Sequence, residues 1–172
     1  MTASRITSSP TEKTGNVVRD SALGLVPEVV EPYLKLNAAV WKEGPLSPAE
    51  LEMIRLRNAR EVGCVFCKAV RYDIATQAGL TEQKIEKIDE HFATSDLSER
   101  EKLILTFCEY YLKSPERISD ATENKLRKEF TTAELAHMSL ALLLFNTFSR
   151  CAVAFGGMPE HELPLMPMAV PE

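Results

Sequence analysis

Three times along this chain a serine or threonine stands three residues ahead of a glutamate at the head of an apolar-periodic run: Ser47 with Glu50, Ser98 with Glu101, and Thr131 with Glu134. In such a capping box the hydroxyl and the carboxylate satisfy backbone N–H groups that a helix start leaves bare. Each box fixes a helix N-terminus, and three of them commit the chain to helices. Pro48, at the first helical position, strengthens the first box. Behind the boxes run apolar sets at helical spacing: Leu51, Ile54, Leu56, Ala59 and Val62, then Leu103, Ile104, Phe107, Tyr110 and Tyr111, then the long segment that ends at Gly156 and Gly157. Weaker signals place further helices elsewhere. "LVPEVVEPYLKLNAAVWKEG" turns Val29, Val30, Tyr33, Leu34, Leu36, Val40 and Trp41 inward, with Pro27 and Pro32 breaking its early part. A cysteine-bearing helix runs from Cys64 to Gly79, "LTEQKIEKIDEHF" turns Ile85, Ile88 and Phe92 inward, and "ISDATENKLRKEF" is a short helix. No stretch alternates strictly or carries a hairpin turn, so the predicted fold is all-α with about seven helices.

The 172 residues fit one ordinary domain. Residues 1–22, rich in Ser, Thr and charge, read as a mobile tail. Residues 23–158 form the helical domain, and residues 159–172, "PEHELPLMPMAVPE", read as an extended proline-rich segment lying over this subunit or a neighbour. A formal net charge of -5, with Lys and Arg interspersed among Glu, argues against a nucleic-acid or anionic-membrane partner. The N-terminal "MTASRITSSPTEKTGN" lacks the apolar stretch of a secretory signal, and the expected location is cytoplasmic. "LALLLFNTF", residues 140–148, reads as part of a core helix.

The chain holds four cysteines, of which only Cys64 and Cys67 are close in sequence. A CxxC pair can be a redox dithiol, two ligands of a zinc site, or two small core residues. Zinc needs four ligands, whereas Cys108, Cys151, His91, His137 and His161 are scattered singly. On one helix, Cys64, Cys67 and Arg71 share a face, and the helix N-terminus and the guanidinium both favour thiolate over thiol. A thiolate attacks peroxide oxygen or a disulfide, and a second cysteine three residues away can resolve the product.

At this point the sequence is similar to a known family. "ELEMIRLRNAREVGCVFCKAVRYDIATQAGL" resembles the core of the carboxymuconolactone decarboxylase and AhpD-like family: a glutamate, a CxxC about twelve residues on, and a histidine four residues after the second cysteine. Glu52, Cys64 and Cys67 fall on three of those positions. The resemblance is strongest over residues 46–90 and extends to "FNTFSRCAVAFG". It implies an all-helical homo-oligomer whose CxxC cycles between dithiol and disulfide, reducing a peroxide or small disulfide at the expense of a lipoyl- or thioredoxin-like dithiol, without metal or organic cofactor. It also implies Cys67 as the sulfur that becomes a sulfenic acid, Cys64 as resolving thiol and proton donor, and Glu52 as remote base. The family's histidine position holds Arg71, and a guanidinium does not pass protons as imidazole does. Arg71 is expected instead to tune the thiol and to form a bidentate pair with Glu52.

Two rival functions follow. A lyase of the decarboxylase branch would use Arg71 to hold a lactone carboxylate, and a non-catalytic oligomeric binding protein would have lost turnover with the histidine. Of the remaining residues, His137 reads as a hydrogen-bonded core histidine, and Cys108 and Cys151 as small buried hydrophobes. Tyr72 is a candidate proton group beside the site, while Asp73 reads as exposed. Asn146, Ser149 and Arg150 are candidates for a pocket mouth, and Arg55 and Arg57 read as partners of Glu52 or Glu61 on a solvated helix face.

Overall fold

The computed structural model describes residues 8–172 and is all-α, as expected. Eight α-helices follow in order: α1 Pro27–Lys42, α2 Pro48–Val62, α3 Val65–Ala69, α4 Asp73–Gln77, α5 Glu82–Glu86, α6 Glu99–Lys113, α7 Asp120–Glu129 and α8 Thr132–Phe155. All three capping boxes form. The backbone N–H groups of Ser47, Ser98 and Thr131 each donate to the carboxylate three residues on, at 2.8, 2.8 and 2.7 Å, and each hydroxyl accepts the return bond. Such a cap contributes about 1 kcal/mol.

α2 is the hub. It packs against α8 and α6, and every residue from Leu51 to Ala59 is buried. On one side Leu51 and Ile54 join Trp41, Ile104, Met138, Leu142 and Phe145. On the other, Met53 and Leu56 join Ala75, Ile85, Ile88, Phe92 and Leu105. α8 is long and apolar enough to span a bilayer by length and composition, yet His137, Met138, Ala141, Leu142 and Phe145 are buried in this fold. His137 ties α8 to the end of α1: its Nδ1 accepts from the Leu46 N–H at 3.3 Å and its Nε2 lies 2.9 Å from the Val40 carbonyl oxygen. Gly44 is the close-approach point, since a Cβ there would stand 1.9 Å from the His137 ring.

Four local readings are corrected. Pro27 opens α1 and Pro32 lies inside it without breaking it. Val29 and Leu36 point outward while Asn37 is buried. "LTEQKIEKIDEHF" forms only the short α5 and a 3-10 turn at Phe92–Thr94, although Ile85, Ile88 and Phe92 are buried as expected. The cysteine helix is not continuous: α3 stops at Ala69, residues Val70–Tyr72 are extended as β1, and α4 resumes at Asp73. The reason is long-range. β1 pairs in parallel with β2, Met166–Met168, matching Val70 to Met166 and Tyr72 to Met168. In addition, the Arg55 guanidinium takes the carbonyls of Cys67 and Val70, both at 2.7 Å. Those carbonyls therefore need no helical N–H.

Both ends of the described chain close on this core. Residues 8–22 include buried Val18, and Arg19 makes a two-point ion pair with Glu31. The rest of the segment read as a tail, residues 1–7, lies outside the described residues. After β2, Asn37 Nδ2 donates to the Pro171 carbonyl at 2.7 Å, and Lys42 pairs with Glu172.

Candidate active site

Cys64 caps α3 and Cys67 sits on its first turn. Gly63, at φ 73° in the left-handed region that favours glycine, turns the chain out of α2 and aims Cys64 back at it. The two cysteines form a disulfide with Cα atoms 5.2 Å apart. Cys64 is fully buried, while Cys67 is 8% exposed and opens onto a cavity of about 890 Å³. The Cys67 N–H donates to Cys64 Sγ at 3.2 Å.

The second element is a buried ion pair. Arg55 Nε and Nη2 donate to the two Glu52 oxygens at 2.7 and 2.6 Å, with both residues under 10% exposed. Burial works to lower the guanidinium's pKa, but the charge and hydrogen bonds of Glu52 outweigh it and hold it raised. The guanidinium also lies 4.9 Å over the Tyr72 ring. Glu52 is therefore held by Arg55, and the pair expected between Glu52 and Arg71 is corrected.

Arg71 itself donates to both oxygens of Glu82 at 2.8 and 3.2 Å and to the carbonyls of Lys68 and Val70. The extended β1 explains why. Alternate residues of a strand face opposite ways, so Val70 and Tyr72 line the cavity and Arg71 turns away from it. The helical face that would have joined Arg71 to the cysteines does not exist, and α3, five residues long, has little macrodipole to offer a thiolate.

What does reach Cys67 is Ser149 of α8, whose hydroxyl donates to Cys67 Sγ at 3.5 Å. Behind it stands a directed chain. Asn58 Nδ2 donates to Ser149 Oγ at 3.1 Å, Asn146 Nδ2 to Asn58 Oδ1 at 2.8 Å, and exposed Arg150 Nε to Asn146 Oδ1 at 2.9 Å. Every donor points toward the sulfur, so each bond polarises the next in the sense that favours negative charge there. Arg55, Asn58 and Ser149 are the residues that sequence reading undervalued. Their signal was present: Glu52, Arg55 and Asn58 recur every three residues along α2, and Asn146, Ser149 and Arg150 share one turn of α8.

The other candidates fall elsewhere. His137 sits in the core at the far end of α8, and His91 and His161 are exposed. Cys108 is fully buried, which pushes its thiol pKa up, and Cys151 is half-buried. Arg57 is buried and pairs with Glu109 and Glu61 rather than lying on a solvated face. Asp73 is exposed in the first turn of α4. Tyr33 and Tyr72 line the cavity, and burial raises both phenols, so they stay protonated donors. Among the described residues no three His, Cys, Asp or Glu side chains cluster as a metal site.

The family model described as "Carboxymuconolactone decarboxylase family" matches residues 27–106, from α1 into α6, with both site cysteines inside. The uncharacterized protein YdfG of Bacillus subtilis is 24% identical over 116 residues, covering 67% of this chain and 79% of that protein. An uncharacterized protein of Mycobacterium tuberculosis is 29% identical over 119 residues, covering 69% of this chain and 41% of that protein, so this chain spans less than half of it. Among solved structures, an Agrobacterium tumefaciens protein of unknown function, described as a candidate antioxidant defence protein AhpD, superposes with a TM-score of 0.66 at 25% identity over 80% of this chain and 95% of its own. A peroxidase-related protein with an AhpD core from Ralstonia eutropha gives a TM-score of 0.65 at 22% identity over 81% and 75%, which shows the shared fold.

Proposed function

We propose, from the match of residues 27–106 to the carboxymuconolactone decarboxylase family model and from the AhpD-like fold, that the chain is a thiol-dependent oxidoreductase in which Cys67 and Cys64 cycle between dithiol and disulfide to reduce a peroxide or a small disulfide. The observation that carries this reading is the Cys64–Cys67 disulfide with Cys67, and not Cys64, on the cavity wall. In the reduced protein the Cys67 thiolate attacks one peroxide oxygen, the O–O bond breaks, and the departing alkoxide takes the Cys64 thiol proton. Cys67 is left as a sulfenic acid. The Cys64 thiolate then attacks that sulfur, the S–S bond forms, and hydroxide leaves as water after taking a solvent proton. An external dithiol returns the pair to its thiols. The sum is one dithiol and one hydroperoxide giving one disulfide, one alcohol and one water.

Ser149 supplies the hydrogen bond to Cys67 in place of the family's histidine, with Asn58 orienting its hydroxyl. Glu52 acts through Arg55, which holds the Cys67 and Val70 carbonyls and so fixes α3 against β1. Arg71 is a structural link to α5. The lyase reading loses its anion-binding group, since Arg71 faces Glu82 and Arg55 is neutralised by Glu52. The chain is also read as a homo-oligomer, with exposed Leu140 and Leu143 of α8 forming an apolar face for a second copy.

The test is steady-state peroxide consumption with dithiothreitol as donor, for wild type, Cys64→Ser and Cys67→Ser. Turnover in wild type and loss in both variants is expected. A wild type that consumes no peroxide while its two thiols resist oxidation overturns the redox reading and leaves the non-catalytic one.

A further inference from the structure

The cavity beside Cys67 is far larger than a small peroxide or a dithiol needs. At about 890 Å³ it stands near the top of the range for sites that enclose drug-sized ligands. Its wall is aromatic and thioether-rich, with Tyr33, Phe66, Tyr72, Phe145 and Phe148 facing methionines such as Met166. Rings and polarisable sulfur suit a flat, apolar guest.

The one cation on the described wall is already paired, and the one carboxylate is hydrogen-bonded. Arg55 is neutralised by Glu52. Asp20 accepts from the N–H groups of Thr14 and Gly15 at 2.7 and 2.9 Å and from the Thr14 hydroxyl. Among the described wall residues an anionic guest would meet no free cation and would lose its hydration without compensation. Polar handles do remain. No hydrogen bond engages either phenol hydroxyl, of Tyr33 or of Tyr72, among the described residues. Asn37, whose amide nitrogen is bound to Pro171, keeps its carbonyl oxygen as an acceptor.

The origin of the wall is the second observation. Val17 and Val18 precede the family-matching residues 27–106, and Phe145, Phe148, Met166 and Pro171 follow them. The family-matching segment brings the cysteines with Tyr33, Phe66 and Tyr72, and the flanking segments complete the wall in front of them.

We infer that this cavity binds a neutral, bulky, predominantly aromatic molecule carrying a small hydrogen-bonding group, and that the segments on either side of residues 27–106 contribute to its selectivity. As a substrate class this rests on the dithiol cycle proposed above: the guest is the neutral organic group of the hydroperoxide, whose O–O bond takes two electrons from the dithiol to leave one alcohol and one water. Binding itself does not depend on turnover, so the two readings fail separately.

Two probes with the same ring system separate the outcomes. N-phenyl-1-naphthylamine is neutral, and 8-anilinonaphthalene-1-sulfonate adds one sulfonate. Binding is followed by probe emission and by the single tryptophan, Trp41, which packs on the wall residues Tyr72 and Phe145 at 5.0 and 5.6 Å between ring centroids. The neutral probe is expected to bind one per chain, and the sulfonate at least about ten-fold more weakly. Phe148→Asp is expected to weaken the neutral probe at least about ten-fold, and Phe66→Ala by a smaller factor with less risk to folding. Leu165→Asp, at an exposed position off the wall, is expected to leave binding unchanged. Equal affinity for the two probes, no binding of the neutral one, or full binding in a folded Phe148→Asp and Phe66→Ala would each overturn the inference. Binding of the neutral probe by Cys64→Ser, whose side chain lies off the wall, is expected. If wild type binds it yet shows no peroxide turnover, the site stands and the redox reading falls.

Discussion

Replacing Ser149 by alanine removes one oxygen from a position that is 3% exposed, and it acts on two neighbours at once. Cys67 Sγ loses the hydroxyl that donates to it, and Asn58 Nδ2, on a fully buried side chain, loses its acceptor. A hydrogen bond to a charged group contributes about 1.5–3 kcal/mol, so the thiolate of the reduced protein is destabilised relative to the thiol by about that amount. The sign follows directly: a donor to the charged form favours it, and removing the donor moves ionisation to higher pH. At neutral pH the thiolate fraction, and with it the rate of alkylation, should fall by roughly ten-fold or more. The unsatisfied Asn58 also lowers stability by about 1–3 kcal/mol, but a stability loss does not move a pH profile. The assay is iodoacetamide alkylation of Cys67 against pH in a Cys64→Ser background, which removes the resolving thiol. Ser149→Ala should shift the profile to higher pH, with Ser149→Thr restoring part of the shift because it keeps the hydroxyl. Superimposable profiles with and without the Ser149→Ala substitution, both proteins being folded, would refute the claim that Ser149 serves the sulfur.

Three further outcomes follow from the same geometry. Gly44→Ala should lower stability by about 1–3 kcal/mol or more in urea unfolding, because its Cβ would overlap the His137 ring that ties α1 to α8. Arg71→His should leave peroxide turnover within about two-fold of wild type, since that side chain is engaged by Glu82 outside the cavity; a large gain would restore the histidine-relay reading. Glu134 is held below the usual carboxylate range, first by the Thr131 N–H and then by Arg100, so its stabilising share is present above about pH 4.3 and is lost as pH falls. Thermal melts of wild type should therefore drop in acid below that pH, and Glu134→Gln should flatten part of the drop.

What could be read from sequence divides along the range of the interactions. The capping boxes at Ser47, Ser98 and Thr131 depend only on residues three apart, and all three are where the sequence put them. Cys64 and Cys67 were legible for the same reason. The break after Ala69 was not, because its causes are Arg55 and the strand at Met166–Met168, which lies far along the chain from it. That break carried Arg71 away from the cysteines. Arg55 and Glu52, three apart on a helix, look like an ordinary surface pair until α6, α8 and β1 close around α2. Ser149 lies 82 residues from Cys67, and only the packing of α8 on α2 brings its hydroxyl to the sulfur.

The most direct measurement is a thiol count after a single turnover. Wild-type protein is fully reduced, freed of reductant, and given one equivalent of cumene hydroperoxide, and its thiols are then titrated in denaturant. Four cysteines are present, and the dithiol cycle consumes Cys64 and Cys67 while Cys108 and Cys151 remain free. The expected result is a fall from four thiols to two, one alcohol released per chain, and a peptide map joining Cys64 to Cys67. Four thiols remaining with the hydroperoxide intact, or the same consumption in Cys67→Ser, would contradict the proposed role of Cys67.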